Sequence, residues 1–190
     1  MADTKINGAL FQSMVTEGAL AITEQKEQIN ELNVFPVPDG DTGTNMSMTM
    51  TAAMNELAKL SEPTLAKAAD TTASALLRGA RGNSGVILFR GMAKKLRETE
   101  AANGRDLALA LREGVDTAYK AVMKPAEGTI LTVSRVAAQK TVEQCQADDS
   151  LSAEQVLAAI VEHGRAALAE TVHQNPVLEK AGVVDAGGFG

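Results

Sequence analysis

Seven stretches of this chain repeat their apolar residues at helical spacing, and no stretch between them alternates as a half-buried strand would. The first covers residues 6–33, with Ile6, Leu10, Met14 and Ala19 near one face and Gly18 as a break or a point of close packing. A second runs from Gly43 to Leu60 through Met46, Met50, Ala53, Met54 and Leu57, a stripe most simply read as core. Ser61 is the expected N-cap of a third, which passes Leu65, Ala69, Ala73 and Leu76 and stops at Gly79. Further helices are expected from Ser84 to about Glu98, over 107–123, and from Ile130 to about Cys145. Ser152 with Gln155 forms a capping-box pattern that opens the last, to about Val172. Only 3% of residues are aromatic, with no Trp, so the core must come from Ala, Leu and Met, whose small or flexible side chains let helices approach closely. Connections are short, which implies antiparallel neighbours. The expected fold is all-α: one domain over residues 1–190, an antiparallel barrel or bundle of seven to eight helices.

A net charge of −6 disfavours nucleic acid and anionic membranes as non-specific partners, while leaving room for a local anion site. The single cysteine, Cys145, rules out an internal disulfide and fits a reducing compartment. No segment approaches the roughly 18 apolar residues of a membrane span, and the first residues carry no signal-peptide pattern. A cytoplasmic protein is expected.

Chemistry concentrates in the breaks. "NVFPVPDGDTGTNM", Asn33 to Met46, sets Asp39 and Asp41 one residue apart just before a helix. Paired carboxylates repel unless a cation or several donors neutralise them. A hard divalent ion prefers such oxygens and keeps some of its waters, and Asn33 could add a carbonyl oxygen from the far side of the loop. The plainer alternative is an Asp-Gly turn in which Asp41 is the N-cap. An EF-hand fits poorly, since Met50 stands where its bidentate Glu belongs.

In "RGARGNSGVI", Gly79, Gly82 and Gly85 recur every third residue around Arg81, Asn83 and Ser84. Glycines let backbone N–H groups turn toward an anion, and a helix beginning near Ser84 adds its positive end. Neither a P-loop nor a Rossmann fingerprint is present. A glycine-rich turn with Asn83 as N-cap is the alternative. The tail "AGVVDAGGFG" holds the same ingredients around Asp185, or is simply a flexible end. His163 and His173 read as surface or helix-terminal residues, no Cys/His cluster suits zinc, and no catalytic triad is recognisable.

Taken together, "LNVFPVPDGDTGTNM", "RGARGNSGVIL", "KPAEGTILTV" and "NPVLEKAGVVDAGG" follow the order seen in bacterial fatty acid kinase ATP-binding subunits. The chain resembles their N-terminal DhaL-type domain, a fold shared with the nucleotide-binding part of dihydroxyacetone kinases. The resemblance spans nearly the whole chain. It implies an antiparallel helical barrel with ATP at one end, and acidic loop residues holding two magnesium ions that bridge the phosphates. By motif position the metal ligands are Asp39 and Asp41, with Asn33 near where dihydroxyacetone kinases carry a third aspartate. Thr44 and Asn45 match phosphate- or metal-facing positions, Gly82, Asn83, Ser84 and Gly85 the phosphate loop, and Asp185, Gly187 and Gly188 the late nucleotide-side segment.

The resemblance further implies transfer of the ATP γ-phosphate to the carboxylate of a fatty acid presented by a DegV-like binding protein, giving an acyl phosphate. A carboxylate acceptor is already ionised at neutral pH, which agrees with the lack of an obvious catalytic His. Members of that family are much longer, so the chain is expected to be an N-terminal domain that binds ATP, is inactive or weak alone, and leaves any dimerisation to other domains. Two alternatives remain: a dihydroxyacetone kinase subunit, and a non-catalytic module that binds Mg–ATP.

Overall fold

The computed structural model describes residues 5–81 and 84–190, without the Ser84 side chain. Those residues form ten helices: α1 (Gly8–Glu24), α2 (Lys26–Glu31), α3 (Thr42–Leu57), α4 (Leu65–Gly79), α5 (Ser84–Leu96), α6 (Gly104–Ala121), α7 (Ile130–Ala147), α8 (Ala153–Gln174), α9 (Pro176–Ala181) and α10 (Ala186–Phe189). Among the described residues there is no strand, only an isolated antiparallel bridge between Ile6 and Ala102. The all-α expectation holds, and its seven helices correspond to the seven longer ones.

Three local readings need correction. The first helix breaks at Gln25 and not at Gly18, which lies inside α1 with open space where a side chain would be. α4 is capped by Thr64, whose hydroxyl accepts from Lys67 N–H at 3.2 Å, and not by Ser61. Between the two, Glu62 takes a left-handed φ of +47°. The tail is no flexible end. Asn175 caps α9 through Val177 N–H, Pro176 takes the first helical position, and Gly182 ends the turn at φ +68°.

Sequential helices pack as antiparallel neighbours from α3 through α8, and α1 lies against α3 and α4. Small residues set the spacing, as composition implied. A Cβ on Gly91 would lie 2.6 Å from Gly114 Cα, so α5 and α6 cross backbone against backbone. The larger core cluster joins Phe11, Leu57, Leu65, Leu76, Leu96 and Val156, each contributing about 1.5–3 kcal/mol by burial. A smaller cluster of Leu88, Val115, Ala118, Leu131 and Ala138 continues between α5, α6 and α7. Met50 is buried and Met54 packs on the larger cluster, as the methionine stripe suggests. None of the helices formed by the described residues is long and apolar enough to cross a membrane.

Antiparallel packing gives the bundle two ends. At the base, Gly8 meets Pro63 and Thr64, Gly104 meets Leu151 and Ser152, and Ile6 pairs with Ala102. The opposite end gathers α2, the loop after it, the start of α3, the α4–α5 and α6–α7 connections, and the tail.

Candidate functional site

The acidic loop is built from α2 outward. Asn33 is buried, and its Oδ1 accepts the N–H groups of Asp41 and Thr42 at 3.1 and 3.2 Å while its Nδ2 donates to Val37 O at 3.0 Å. Asn30 accepts Thr44 N–H at 3.1 Å and donates to Thr44 Oγ1 at 3.1 Å. Gly43 permits this clamp, because a Cβ there would lie 2.1 Å from Lys26 O. Between the clamped points, Gly40 adopts φ +67°, a left-handed conformation that glycine takes at no steric cost. Asp39 and Asp41 on either side are exposed. Asp41 stands at the N-cap position of α3, yet its side chain makes no capping bond. The turn reading therefore names the position correctly and the side chain's use wrongly. Asn33's side-chain oxygen is already engaged by two amides, which makes it the brace of the loop.

The glycine loop is tied to the same helix. Thr49 Oγ1 donates to Asn45 O at 2.7 Å and accepts Arg81 N–H at 3.1 Å, joining the end of α4 to the second turn of α3. Gly82 and Asn83 lie outside the described residues. Ser84 opens α5, and Gly85 has open space where a Cβ would stand.

The "KPAEGT" connection is braced by a network that periodicity and motif spacing do not reveal. Gly128 N–H donates to Thr132 Oγ1 at 3.0 Å, and the Thr132 hydroxyl donates to Glu127 Oε2 at 2.8 Å. Arg135 donates to the same Glu127 oxygen at 2.8 Å and through Nε to Tyr119 OH at 3.0 Å. Arg135 holds its proton more firmly than usual, chiefly through the Tyr119 hydroxyl.

The tail closes over the start of α7. Asp185 is buried, its Oδ2 accepts Gly188 N–H at 2.7 Å, and its own N–H donates to Thr171 Oγ1 at 3.1 Å. Burial pushes its carboxyl up from the usual value of 3.8, against the opposing pull of the Gly188 and Ile130 N–H groups. Gly187 and Gly188 pack beside Ile130 and Val133, and Gly190 abuts Met46 and Ile29. The tail thus bridges α7 to α2 and α3.

One end of the bundle therefore holds Asp39, Asp41, Thr44 and Asn45, with Arg81 and Gly85 beside them and Asp185, Gly187 and Gly188 behind. The N-termini of α3, α5 and α7 lie at that end, where their dipoles favour an anion, while Asn30 and Asn33 engage the leading amides of α3 and the tail covers the start of α7. His163 lies away from it, within 3.4 Å of Gln144 on the side of the bundle, and His173 is exposed at the end of α8. Among the described residues no three His, Cys, Asp or Glu side chains gather as a metal-binding group. The donor set is instead a pair of exposed carboxylates on a braced loop, hard oxygen ligands that suit a divalent ion sharing its shell with water and phosphate.

One end of an all-α bundle of the DhaL-like type thus carries the acidic and glycine-rich loops. The DAK2 domain family matches residues 36–190, and the chain belongs to that family, whose domains are parts of kinase-type systems. Protein YloV of Bacillus subtilis is 42% identical over 193 residues, covering all of this chain and 34% of that protein. An uncharacterized protein of Staphylococcus saprophyticus is 44% identical over 190 residues, and one of Staphylococcus aureus strain USA300 is 43% identical over 190 residues. Each of these alignments takes in 98% of this chain and 34% of the relative. The chain spans about a third of the length of these relatives.

Proposed function

We propose that this chain is the Mg–ATP-binding domain of a kinase that transfers the γ-phosphate to the carboxylate of a fatty acid presented by a DegV-like partner. The observation that carries the reading is the Asp39–Asp41 pair: exposed, rigidly held at the start of α3, and not consumed in capping it. Asp39 and Asp41 would hold magnesium, which when bound supplies neutralisation of the phosphate oxygens; the family precedent of two ions extends to this chain as part of the proposal. Asn33 serves this site by fixing the loop. Thr44 Oγ1 accepts from Asn30, which leaves its hydroxyl hydrogen free to donate to an anion. The backbone of the glycine loop, Gly82 to Gly85, and the α5 N-terminus orient the phosphates, the α3 dipole adds its positive end, and Asn45 anchors the loop through Thr49. Asp185 shapes the tail, so that Gly187 and Gly188 offer a thin wall on the nucleotide side.

Phosphoryl transfer asks mainly for positioning and charge neutralisation, and an ionised acceptor carboxylate requires no general base. Asp39→Ala removes half of the carboxylate pair without touching the clamp. It should abolish magnesium-dependent ATP binding in calorimetry while leaving the circular dichroism spectrum of the fold unchanged; unaltered affinity would sink the assignment. ATP turnover with and without a lipid-loaded DegV-like protein tests the acceptor, and the reading requires turnover that depends on that protein.

A further inference from the structure

At the start of α3 the capping work is done by the wrong residues. Thr64, Asn103 and Ser152 cap their own helices from extended backbone, with ψ of 158°, −176° and 161°. Asp41 has ψ 1° and caps nothing with its side chain. The amides at the start of α3 go instead to α2 and the loop just after it: Asp41 and Thr42 N–H to Asn33, and Thr44 N–H to Asn30. Both asparagines also use their amide hydrogens, on Val37 O and Thr44 Oγ1. An aspartate at either position would lose that donated bond and add a negative charge beside Asp39 and Asp41. The DAK2 match opens at Pro36, so both asparagines precede it.

We propose that Asn30 and Asn33 are positioning residues that cap α3 in place of Asp41, and thereby keep the Asp41 carboxylate available for a cation. The inference rests on the cation reading of the acidic loop. Without Asn30, the Thr44 N–H at the third position of α3 would recruit the nearest acceptor, and Asp41 at the N-cap position is that acceptor. A carboxylate turned back onto its own helix no longer faces the solvent side of the loop.

The test is a double-mutant cycle on the full chain, using Asn30→Ala, Asp41→Ala and their combination, read in two ways. Thermal unfolding without metal reads the cap exchange. Asp41→Ala should leave the midpoint of the native sequence unchanged and lower it by several degrees in the Asn30→Ala background, where Asp41 has become the cap of Thr44 N–H. Equal losses in both backgrounds overturn the proposal. Mn2+ binding by electron paramagnetic resonance, in the presence of a non-hydrolysable ATP analogue, reads the consequence. Asn30→Ala should weaken it at least tenfold, with no further loss in the double variant; unchanged Mn2+ affinity in Asn30→Ala also overturns it. If Asp41→Ala alone leaves Mn2+ affinity intact, the cation reading itself falls, an outcome distinct from equal losses in unfolding. Asn30→Leu, of similar volume and without an acceptor, enters the same cycle should Asn30→Ala fail to fold.

Discussion

The two ends of the bundle solve the same problem in opposite ways. Every helix start leaves N–H groups without intrahelical partners. At the base they are satisfied locally: Asn7 takes Leu10 N–H, Thr64 takes Lys67 N–H, and Asn103 with Asp106 and Ser152 with Gln155 form reciprocal boxes. At the opposite end the short helices α9 and α10 are capped locally by Asn175 and Asp185, while the partners of the long helices α3 and α7 come from elsewhere in the chain. Asn30 and Asn33 reach α3 from fourteen and nine residues away. Thr129, at the N-cap of α7, spends its hydroxyl on Ala126 O, while Asp185 from the tail meets the first amide of that helix. Local capping consumes the residue at the helix start. Remote capping of α3 leaves Asp41 free, and the end with remote caps is the one that carries the acidic and glycine-rich loops.

Glycine substitutions break this comparison most severely. A Cβ at Gly8 would lie 1.9 Å from Pro63 O and one at Gly43 2.1 Å from Lys26 O, backbone atoms that cannot swing aside. Gly8→Ala and Gly43→Ala should each cost about 3 kcal/mol in chemical denaturation. Only Gly43→Ala should also weaken nucleotide binding in calorimetry under conditions where the protein stays folded. Matched loss of affinity in Gly8→Ala would show that the ends are not independent.

Asp185 offers an intermediate effect with a pH signature. Asp185→Ala strands the half-buried Gly188 N–H and should cost about 1–3 kcal/mol. Asp185→Asn keeps an acceptor and should cost less. Because burial raises this carboxyl, the folded state binds its proton more readily than the unfolded state does. Its contribution is therefore fully present below the ordinary value of 3.8 and is lost as pH rises through the raised folded value. Relative to Asp185→Asn, the native sequence should gain stability as pH falls from neutral toward 3.8, measured by denaturation at several pH values.

The smallest effect belongs to the base. Ser152→Ala removes one arm of a local box and should cost about 1 kcal/mol, with nucleotide affinity untouched. An effect on binding would contradict the separation of the two ends.

Legibility in the sequence follows the same division. The Ser152–Gln155 box is readable because its partners lie three residues apart. The short helix α9 carries an equally local signature, Asn175 before Pro176 and Gly182 after the last turn, so its signal is present in "NPVLEKAG". Thr64, which caps α4 in place of Ser61, takes the N–H of Lys67 only three residues on, so its signal is local as well. Asn30 has no such signature. Nothing in "EQINELN" distinguishes it from a solvated helix residue, and its role exists only because Gly43 lets α2 lie against α3. Likewise, Glu127, Thr132, Arg135 and Tyr119 meet only once α6 and α7 are packed.

By itself the sequence determined the helical class, since apolar spacing and a scarcity of aromatics leave close-packed helices as the way to bury a core. It also determined which loops carry acid and glycine, because those chemistries are written in adjacent residues. Tertiary structure alone decided what those residues are free to do. Asp41 looks the same in sequence whether it caps α3 or faces a ligand; two asparagines, one in α2 and one just after it, held within 3.2 Å of the amides at the start of α3, make the difference.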